Sequence, residues 1–296
     1  MSNLKQSLMK SADNRLAMEK RFGFIPLSIL KLSRGGLSKS VFNYATERAL
    51  GKAREGRIKA DRHEKEYAPD VDKHAAGSGG VRGAGMSIMP AEIVEFFIKY
   101  YAKPGEVYLD LFMGQGVQMQ VAHAMGLHYY GYDLSVEFFG YIESVRNKIS
   151  NGTAEIQIFN ADSRYPNEIQ DGIGDFSFYS PPYWDIEYYG DEPGQLGKNT
   201  YSDFIQGMQD VAAAWLPKFK RGAYHVVNVN DFRKDGVFYP YHADTIGLFR
   251  RAGWVLTDTW IIEGLVGGLP KAFGVDFNLK RIAPKVHEYA LVFRKP

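Results

Sequence analysis

Short apolar runs alternate with helical patterns from about residue 90 to the end of the chain. Runs rich in β-branched and aromatic residues have the length of buried strands, whereas other stretches repeat apolar residues every three or four positions, as an amphipathic helix does. The predicted strands are Val107–Leu111, His128–Asp133, Glu155–Phe159, Asp175–Tyr179, Ala223–Val229, Trp254–Ile262 and Glu288–Phe293. The predicted helices are Pro90–Tyr101, Val117–Met125, Val136–Lys148, Tyr201–Leu216 and Ala243–Arg251.

This alternation predicts an α/β fold of Rossmann-like type, with seven strands in a mostly parallel, doubly wound sheet. Parallel neighbours need a crossover, usually a helix, between one strand and the next. The last two predicted strands are separated instead by Gly264–Val286, a stretch without a helical pattern. We therefore expect the final strand to run antiparallel to the others.

A glycine-rich stretch, Ala75–Gly85, separates this region from the N-terminal part of the chain. It has no apolar period and is typical of a flexible connection. We therefore predict an N-terminal extension with its linker over residues 1–85 and a catalytic domain over residues 86–296. The apolar residues of the extension are too few to form a core of their own, so we expect the extension to pack on the domain.

The charge distribution favours a polyanionic partner. The formal net charge is only +2, but residues 1–80 carry 16 Lys and Arg against 9 Asp and Glu, a net +7, which leaves −5 for the other 216 residues. A basic arm on a mildly acidic body suits a polyanionic partner. The sequence carries no signal for a particular oligomeric state.

Composition excludes several kinds of chemistry. The chain has no cysteine, which rules out disulfides, thiolate metal sites and a thiol nucleophile. The seven histidines are scattered without the spacing of a ligand cluster, so no metal site is expected. No apolar run approaches the length of a membrane span, and the N-terminus lacks the apolar core of a signal peptide. We expect a cytoplasmic protein that does not bind membranes.

Polar residues and glycines follow successive strands. The first predicted strand enters a Gly-x-Gly turn, in which Gly114 and Gly116 let the backbone turn tightly and approach a ligand. Asp133 ends the second strand, where an acidic side chain can accept both ribose hydroxyls of a nucleoside cofactor. Asp162 follows the third strand and could accept a hydrogen bond from an adenine amino group. Met119 replaces the third glycine of the dinucleotide-binding pattern, so this turn does not match that class.

The fourth strand ends in Ser180-Pro181-Pro182-Tyr183. Two consecutive prolines fix φ and remove two N–H donors, which leaves a rigid turn that offers only acceptors. An exocyclic amine of a nucleobase is a weak nucleophile because its lone pair is delocalised into the ring. When protein acceptors bind its hydrogens, the nitrogen can become pyramidal and attack an electrophilic methyl group. We expect the Ser180 hydroxyl and the Pro181 carbonyl to accept these bonds. Tyr183 would stack on the base, and Trp184 would help to hold it.

These motifs resemble those of the amino-group DNA methyltransferases. Ser180–Tyr183 is similar to the family motif Asp/Asn/Ser-Pro-Pro-Tyr/Phe, and Asp110–Gly116 is similar to Asp-Pro-Phe-x-Gly-x-Gly, with Leu111 in place of the proline. Ser87–Pro90 resembles the segment that holds the methionine part of the cofactor. Asp185–Gly197 resembles the substrate loop, and the chain from His287 resembles the closing strand.

The resemblance implies a methyltransferase fold with S-adenosylmethionine (SAM) as cofactor and DNA as substrate. The catalytic residues would be Ser180, Pro181, Pro182 and Tyr183. The cofactor-binding residues would be Ser87, Pro90, Asp110, Phe112, Gly114, Gly116, Asp133 and Asp162. The residues that stack on the base or contact DNA would be Tyr183, Trp184, Lys271, Lys280 and Arg281.

The segment Phe22–Leu30 resembles phage-borne DNA methylases. The whole chain resembles the low-specificity adenine-N6 methyltransferases of Mu-like prophages, which protect phage DNA from restriction. The motif order places a target-recognition segment after the catalytic motif, where only the 23-residue loop Gly264–Val286 is found. Its lysines and arginine suit phosphates, which carry no sequence information. We therefore predict weak sequence specificity and a target base that is flipped out of the duplex.

Other targets remain open. Cytosine-C5 methylation needs a cysteine nucleophile and is excluded. Ser180 by itself favours cytosine-N4, whereas the prophage resemblance favours adenine-N6, which we adopt. An RNA base or a protein glutamine amide is a second alternative substrate. The methyltransferases that modify these substrates usually have asparagine where this chain has Ser180, which makes this alternative less favoured. A non-catalytic DNA-binding subunit would not need the glycine turn and the acidic residues together.

Overall fold

The computed structural model describes residues 17–18, 20–21, 28–31, 89–149, 153–187, 190–263, 282 and 287–296. The strands are β1 (Ile29–Lys31), β2 (Val107–Asp110), β3 (His128–Asp133), β4 (Ile156–Asn160), β5 (Gly174–Tyr179), β6 (Phe219–Val229), β7 (Phe232–Lys234), β8 (Val237–Tyr239), β9 (Val255–Glu263) and β10 (His287–Arg294). The helices are α1 (Ala91–Tyr101), α2 (Val117–Ala124), α3 (Val136–Ile149), α4 (Tyr201–Trp215) and α5 (Tyr241–Arg251). Short 3₁₀ turns occupy Leu196–Lys198 and Leu216–Lys218.

Eight strands form one sheet in the order β1-β9-β10-β6-β5-β2-β3-β4. Strands β2 to β6 pair in parallel, whereas β10 is antiparallel to both β6 and β9. From β2 in the middle of the sheet the chain moves outward through β3 and β4, and then returns to the other side of β2 at β5. The strand order therefore reverses between β2 and β5, which is the place where ligands of such sheets bind.

Alternating strand residues supply a core to each face of the sheet. On one face, Phe176, Phe178 and Val226 join a cluster with α1 and α2, while Leu109 and Val227 join a cluster with α4 and α5 on the other. This division follows from the two-residue period of a strand, which sends successive side chains to opposite faces. The result is a three-layer arrangement with helices on both sides of the sheet.

The structure confirms the predicted fold class, including the seven strands and the antiparallel last strand. Two elements were not predicted. Strand β1 adds to the sheet by parallel pairing with β9, and Leu30 within it is only 2% exposed. Strands β7 and β8 form a hairpin, whose turn residues Asp235 and Gly236 both have positive φ.

The glycine-rich stretch Ala75–Gly85 lies outside the described residues, so the boundary between residues 85 and 86 stays a prediction. Among the helices that the structure describes, none combines the length and the apolar character needed to cross a membrane.

Phe97 tests the packing between α1 and the sheet. Its side chain is fully buried, stacks on Phe178 with ring centroids 4.7 Å apart, and meets Trp260 edge to face. We expect Phe97→Ala to lower the free energy of unfolding by about 3–5 kcal/mol, because it leaves a cavity. The matched change Phe238→Ala, at a ring 38% exposed on the hairpin, should cost less than about 1 kcal/mol. Urea unfolding of both variants measures this, and equal losses would contradict the packing.

Candidate active site

A cleft of about 350 Å³ opens at the carboxyl ends of the central strands. Its size falls in the range of about 300–1,000 Å³ that is typical of small-molecule and cofactor sites. The cleft spans the point where the strand order reverses, so the tips of β2, β3 and β4 form one side and the tips of β5 and β6 form the other. The predicted site residues that line it are Pro90, Phe112, Gly114, Asp133, Asp162, Ser180, Pro181, Pro182 and Tyr183.

The glycine turn after β2 is held against the end of β3 by Asp133. The Asp133 carboxylate accepts hydrogen bonds from the Gly114 N–H at 2.8 Å and from the Ser135 N–H at 2.9 Å. Gly114 and Gly116 have φ of +48° and +73°, which a residue with a Cβ rarely adopts. A Cβ on Gly114 would point into open space, whereas one on Gly116 would touch Ile142 and Met119. Gly114 therefore lines the cleft, and Gly116 packs against α2 and α3.

Burial raises the pKa of the Asp133 carboxyl to about 6, although the two backbone N–H groups act in the opposite direction by stabilising its charged form. The carboxylate therefore titrates close to neutral pH. At the cleft surface it provides a negatively charged acceptor next to an open glycine backbone. This combination fits a ligand that carries vicinal hydroxyl groups.

Asp110 lies beneath the turn and does not line the cleft. It is fully buried, accepts a hydrogen bond from the Tyr129 hydroxyl at 2.7 Å, and accepts another from the Phe112 N–H at 3.2 Å. Burial raises its pKa to about 7. Its contacts position Phe112, so the structure gives Asp110 a supporting place rather than direct access to a ligand.

Asp162 lines the cleft beside Arg164, a residue that the sequence analysis missed. The Arg164 guanidinium donates to both carboxylate oxygens of Asp162, with the shortest nitrogen–oxygen distance 2.5 Å, and also donates to the Gly194 carbonyl at 3.2 Å. Arg164 thus links the tip of β4 to the loop that follows the Pro-Pro turn. An amino group that bonded to Asp162 would have to share the carboxylate with this guanidinium.

The Pro-Pro turn after β5 forms the other side of the cleft. The Pro182 carbonyl accepts a hydrogen bond from the Tyr241 hydroxyl at 3.2 Å, and the Tyr183 hydroxyl is hydrogen-bonded to the Ser180 side chain and to the backbone of Asn230. Burial raises the pKa of Tyr183 well above its usual value, so this hydroxyl stays protonated. Ser180 and Pro181 remain at the cleft wall as acceptors.

Trp184 supports this turn from outside the cleft. It adopts φ of +49°, donates its indole N–H to the Asn199 carbonyl at 2.8 Å, and lies under the Lys234 ammonium at 4.8 Å. Lys234 also forms an ion pair with Asp185. Trp184 is thus packed between the loop and the β7–β8 hairpin, and the structure does not bring it to the cleft wall with Tyr183.

Other cleft residues escaped the sequence analysis, among them Asn228 and Asn230 near the end of β6 and Glu288 on β10. Asn228 donates its amide N–H to Glu288 at 2.6 Å. Polar residues within the otherwise apolar strand pattern of β6 were the available signal. Ser87, Lys271, Lys280 and Arg281 lie outside the described residues, so their roles stay predictions. Within the described part of the chain, no cluster of three or more His, Asp or Glu could hold a metal ion.

Comparison with protein families gives one match. A family model described as DNA methylase, of the N6 and N4 amino-methyltransferase type, matches residues 54–144. The matched segment contains the glycine turn and Asp133 and ends before the Pro-Pro turn. No curated protein matches the chain.

Several solved structures are similar to parts of the chain. TrmN from Thermus thermophilus has 17% identity over 72% of this chain and 51% of its own, with a TM-score of 0.48. A TehB-like SAM-dependent methyltransferase from Corynebacterium glutamicum has 16% identity over 80% of this chain and 100% of its own, with a TM-score of 0.45. A second Thermus thermophilus protein, described as a DNA modification methylase and complexed with SAM, has 24% identity over 46% of this chain and 54% of its own, with a TM-score of 0.35. The chain thus spans about half the length of the two Thermus proteins.

Gly197 tests the support of the Pro-Pro turn. A Cβ added there would lie 2.5 Å from the Trp184 carbonyl oxygen, which belongs to a backbone held by its own contacts. We expect Gly197→Ala to lower the free energy of unfolding by about 1–3 kcal/mol through overpacking. Gly140→Ala is the control, because its Cβ would meet nothing within 4 Å inside α3. That change should stabilise the protein by about 0.5–1 kcal/mol. Denaturant unfolding gives both values, and a neutral Gly197→Ala would argue against the contact.

Proposed function

We infer that this chain belongs to the amino-group DNA methyltransferases, and we propose that it transfers a methyl group from SAM to the N6 amino group of adenine in DNA. The observation that carries the proposal is the composition of one cleft. An open glycine turn with the Asp133 carboxylate forms one side, and the acceptor-only Ser180–Pro181 turn forms the other. A nucleoside cofactor and an amine substrate would meet between them.

The cofactor half of the cleft fits SAM. When bound, SAM supplies an electrophilic methyl group on a sulfonium. Asp133 would accept its ribose hydroxyls, and Gly114, which lacks a Cβ, leaves room for the cofactor beside the turn. Asp162 lies at the tip of the next strand, and its carboxylate, which already binds Arg164, would also accept a hydrogen bond from the adenine amino group. Pro90 and Phe112 complete the apolar wall.

The substrate half of the cleft would activate the amine through its acceptors. Hydrogen bonds from the amine to the Ser180 hydroxyl oxygen and the Pro181 carbonyl would pull its lone pair out of conjugation with the ring. The freed lone pair could then accept the methyl group that bound SAM would supply, and one amine proton would pass to solvent. Tyr183 would stack on the base. Its own hydroxyl contacts fix the ring beside Ser180.

DNA is the proposed substrate because the family model that matches residues 54–144 is a DNA methylase model and the N-terminal part of the chain is basic. The amine faces its pairing partner inside a duplex, so the base would have to be flipped into the cleft. Lys271, Lys280 and Arg281 would contact phosphates, which gives affinity with weak sequence specificity. Resemblance to the prophage enzymes supports adenine-N6 and a role in protecting phage DNA from restriction.

Cytosine-N4 is the second candidate target, and Ser180 is the observation that favours it. Plasmid DNA from cells that express the protein, digested to nucleosides and analysed by mass spectrometry, decides between them. N6-methyladenine supports the proposal, whereas N4-methylcytosine alone would replace it. Plasmid from cells that express Ser180→Ala controls for host methylation. Resistance of the plasmid to several adenine-sensitive restriction enzymes, rather than to one, would support weak specificity.

Substitutions in the two halves of the cleft should have different effects on methyl transfer and on SAM binding. Ser180→Ala and Tyr183→Ala should lower methyl transfer by about 100-fold or more, because each removes a contact to the reacting base, yet keep SAM affinity within about threefold. Asp133→Ala should weaken SAM binding first. Calorimetric SAM binding and transfer of tritium from labelled SAM into DNA measure both. Loss of SAM binding in the Ser180 and Tyr183 variants would mean that these residues belong to the cofactor half of the cleft and not to the substrate half.

Acid should weaken SAM binding through Asp133. Its pKa is raised to about 6, so the carboxylate that accepts the ribose hydroxyls becomes protonated as the pH falls through that value. The dissociation constant should rise about tenfold from pH 7 to pH 5. Asp133→Asn should bind weakly at both pH values and lose this dependence. A profile shared by the wild type and Asp133→Asn would assign the titration to another group, with Asp110 the first to test.

A further inference from the structure

Asn228 carries a buried acceptor that the protein leaves unused. The side chain lines the cleft, and the residue is only 1% exposed. Its amide oxygen has no hydrogen-bond donor among the described residues, and the same is true of the amide oxygen of Asn230. A buried acceptor without a donor costs about 1–3 kcal/mol, so such atoms in a cleft point to a ligand that donates.

The orientation of the Asn228 amide is fixed by Glu288. The Asn228 amide nitrogen donates to the Glu288 carboxylate at 2.6 Å, which identifies the other amide atom as the oxygen. Asn228 pairs with Ala290 across the β6–β10 ladder, so Glu288 reaches it diagonally from two residues away. The unpaired group of Asn228 is therefore an acceptor.

Strand register brings Asn228 next to Ser180. Strands β5 and β6 are parallel with Tyr179 opposite Val227, so the next residues along the two strands are Ser180 and Asn228. Residues in register on adjacent strands share a face of the sheet, and Asn230, two residues further along, returns to that face. The Ser180 hydroxyl is already hydrogen-bonded to Tyr183. The serine hydroxyl oxygen is also one bond closer to the backbone than the side-chain oxygen of the Asp or Asn that related motifs carry at this position.

We propose that Asn228 contacts the substrate, and that its amide oxygen shares one N–H of the exocyclic amine with the Ser180 hydroxyl oxygen, while the Pro181 carbonyl accepts the other N–H. Glu288 is the positioning residue that keeps the Asn228 oxygen toward the amine, and Asn230 lines the same cleft. The inference rests on the proposed amino-methyltransferase function. On this inference, the cleft favours a base with a free amino group over a base with a carbonyl at the same position, because the Asn228 oxygen would repel a carbonyl oxygen.

Asn228→Leu removes the acceptor and keeps the number and branching of the side-chain heavy atoms. We expect the maximal rate of tritium transfer from labelled SAM into unmethylated plasmid DNA to fall about 10- to 100-fold. The dissociation constants for SAM and for DNA should stay within about threefold, because the contact strengthens as charge develops on the amine. Glu288→Leu should reduce the maximal rate in the same direction by releasing the amide. Asn167→Leu, at an exposed loop position, is the matched control.

The outcomes separate this inference from the proposed function. A wild-type protein that methylates DNA while Asn228→Leu retains its maximal rate overturns the inference alone. A wild-type protein that transfers no methyl group to DNA overturns the proposed function and the inference with it. Asn228→Ala, which adds no apolar bulk, replaces the leucine variant if that variant loses SAM binding or unfolds. Full activity of the alanine variant likewise overturns the inference, whereas loss of the maximal rate with SAM binding intact supports it.

Discussion

The hydrogen bond from the Gly114 N–H to the Asp133 carboxylate is the interaction on which the site geometry depends. It ties the turn after β2 to the end of β3, and a second bond from the Ser135 N–H fixes the same carboxylate from the start of the next segment. Burying this charge is unfavourable, as the raised pKa of Asp133 shows, and the two N–H groups offset part of that penalty. A positive φ at Gly114 turns its amide toward Asp133 and leaves its Cα side open to the cleft.

The reversal of strand order between β2 and β5 brings two chemically different surfaces to one sheet edge. Strands β2 to β4 contribute a glycine turn and carboxylates, which suit a nucleoside cofactor. Strands β5, β6 and β10 contribute the Pro-Pro turn and the amide oxygens of Asn228 and Asn230, which suit an amine. Two prolines cannot donate hydrogen bonds, and the asparagine oxygens lack donors within the described structure. A substrate amine, with its two N–H groups, would satisfy some of these acceptors.

The loop Asp185–Gly197 connects the two halves of the cleft. Arg164 holds the Asp162 carboxylate and also the Gly194 carbonyl, so the tip of β4 and the loop share one guanidinium. Glu192 accepts a hydrogen bond from the Val136 N–H at the start of α3. At the other end of the loop, Trp184 keeps a left-handed backbone conformation within a cluster of aromatic rings. Strain and unpaired acceptors therefore concentrate around the Pro-Pro turn, which is where functional sites depart from ideal local structure.

The sequence by itself determined seven strands, five helices, the glycine turn and the Pro-Pro turn, because each depends on local periodicity or on the backbone limits of glycine and proline. It also located acidic residues directly after successive strands, and parallel strands end at one edge of a sheet. Only the tertiary structure decided that Asp110 is buried under the turn, that Arg164 binds Asp162, and that Asn228 lines the same cleft as Ser180. Those facts depend on strand register and on contacts between residues distant in the chain, which local patterns do not encode. The pairing of β1 with β9 could not be predicted either, because a strand of three residues is too short to give a periodic signal.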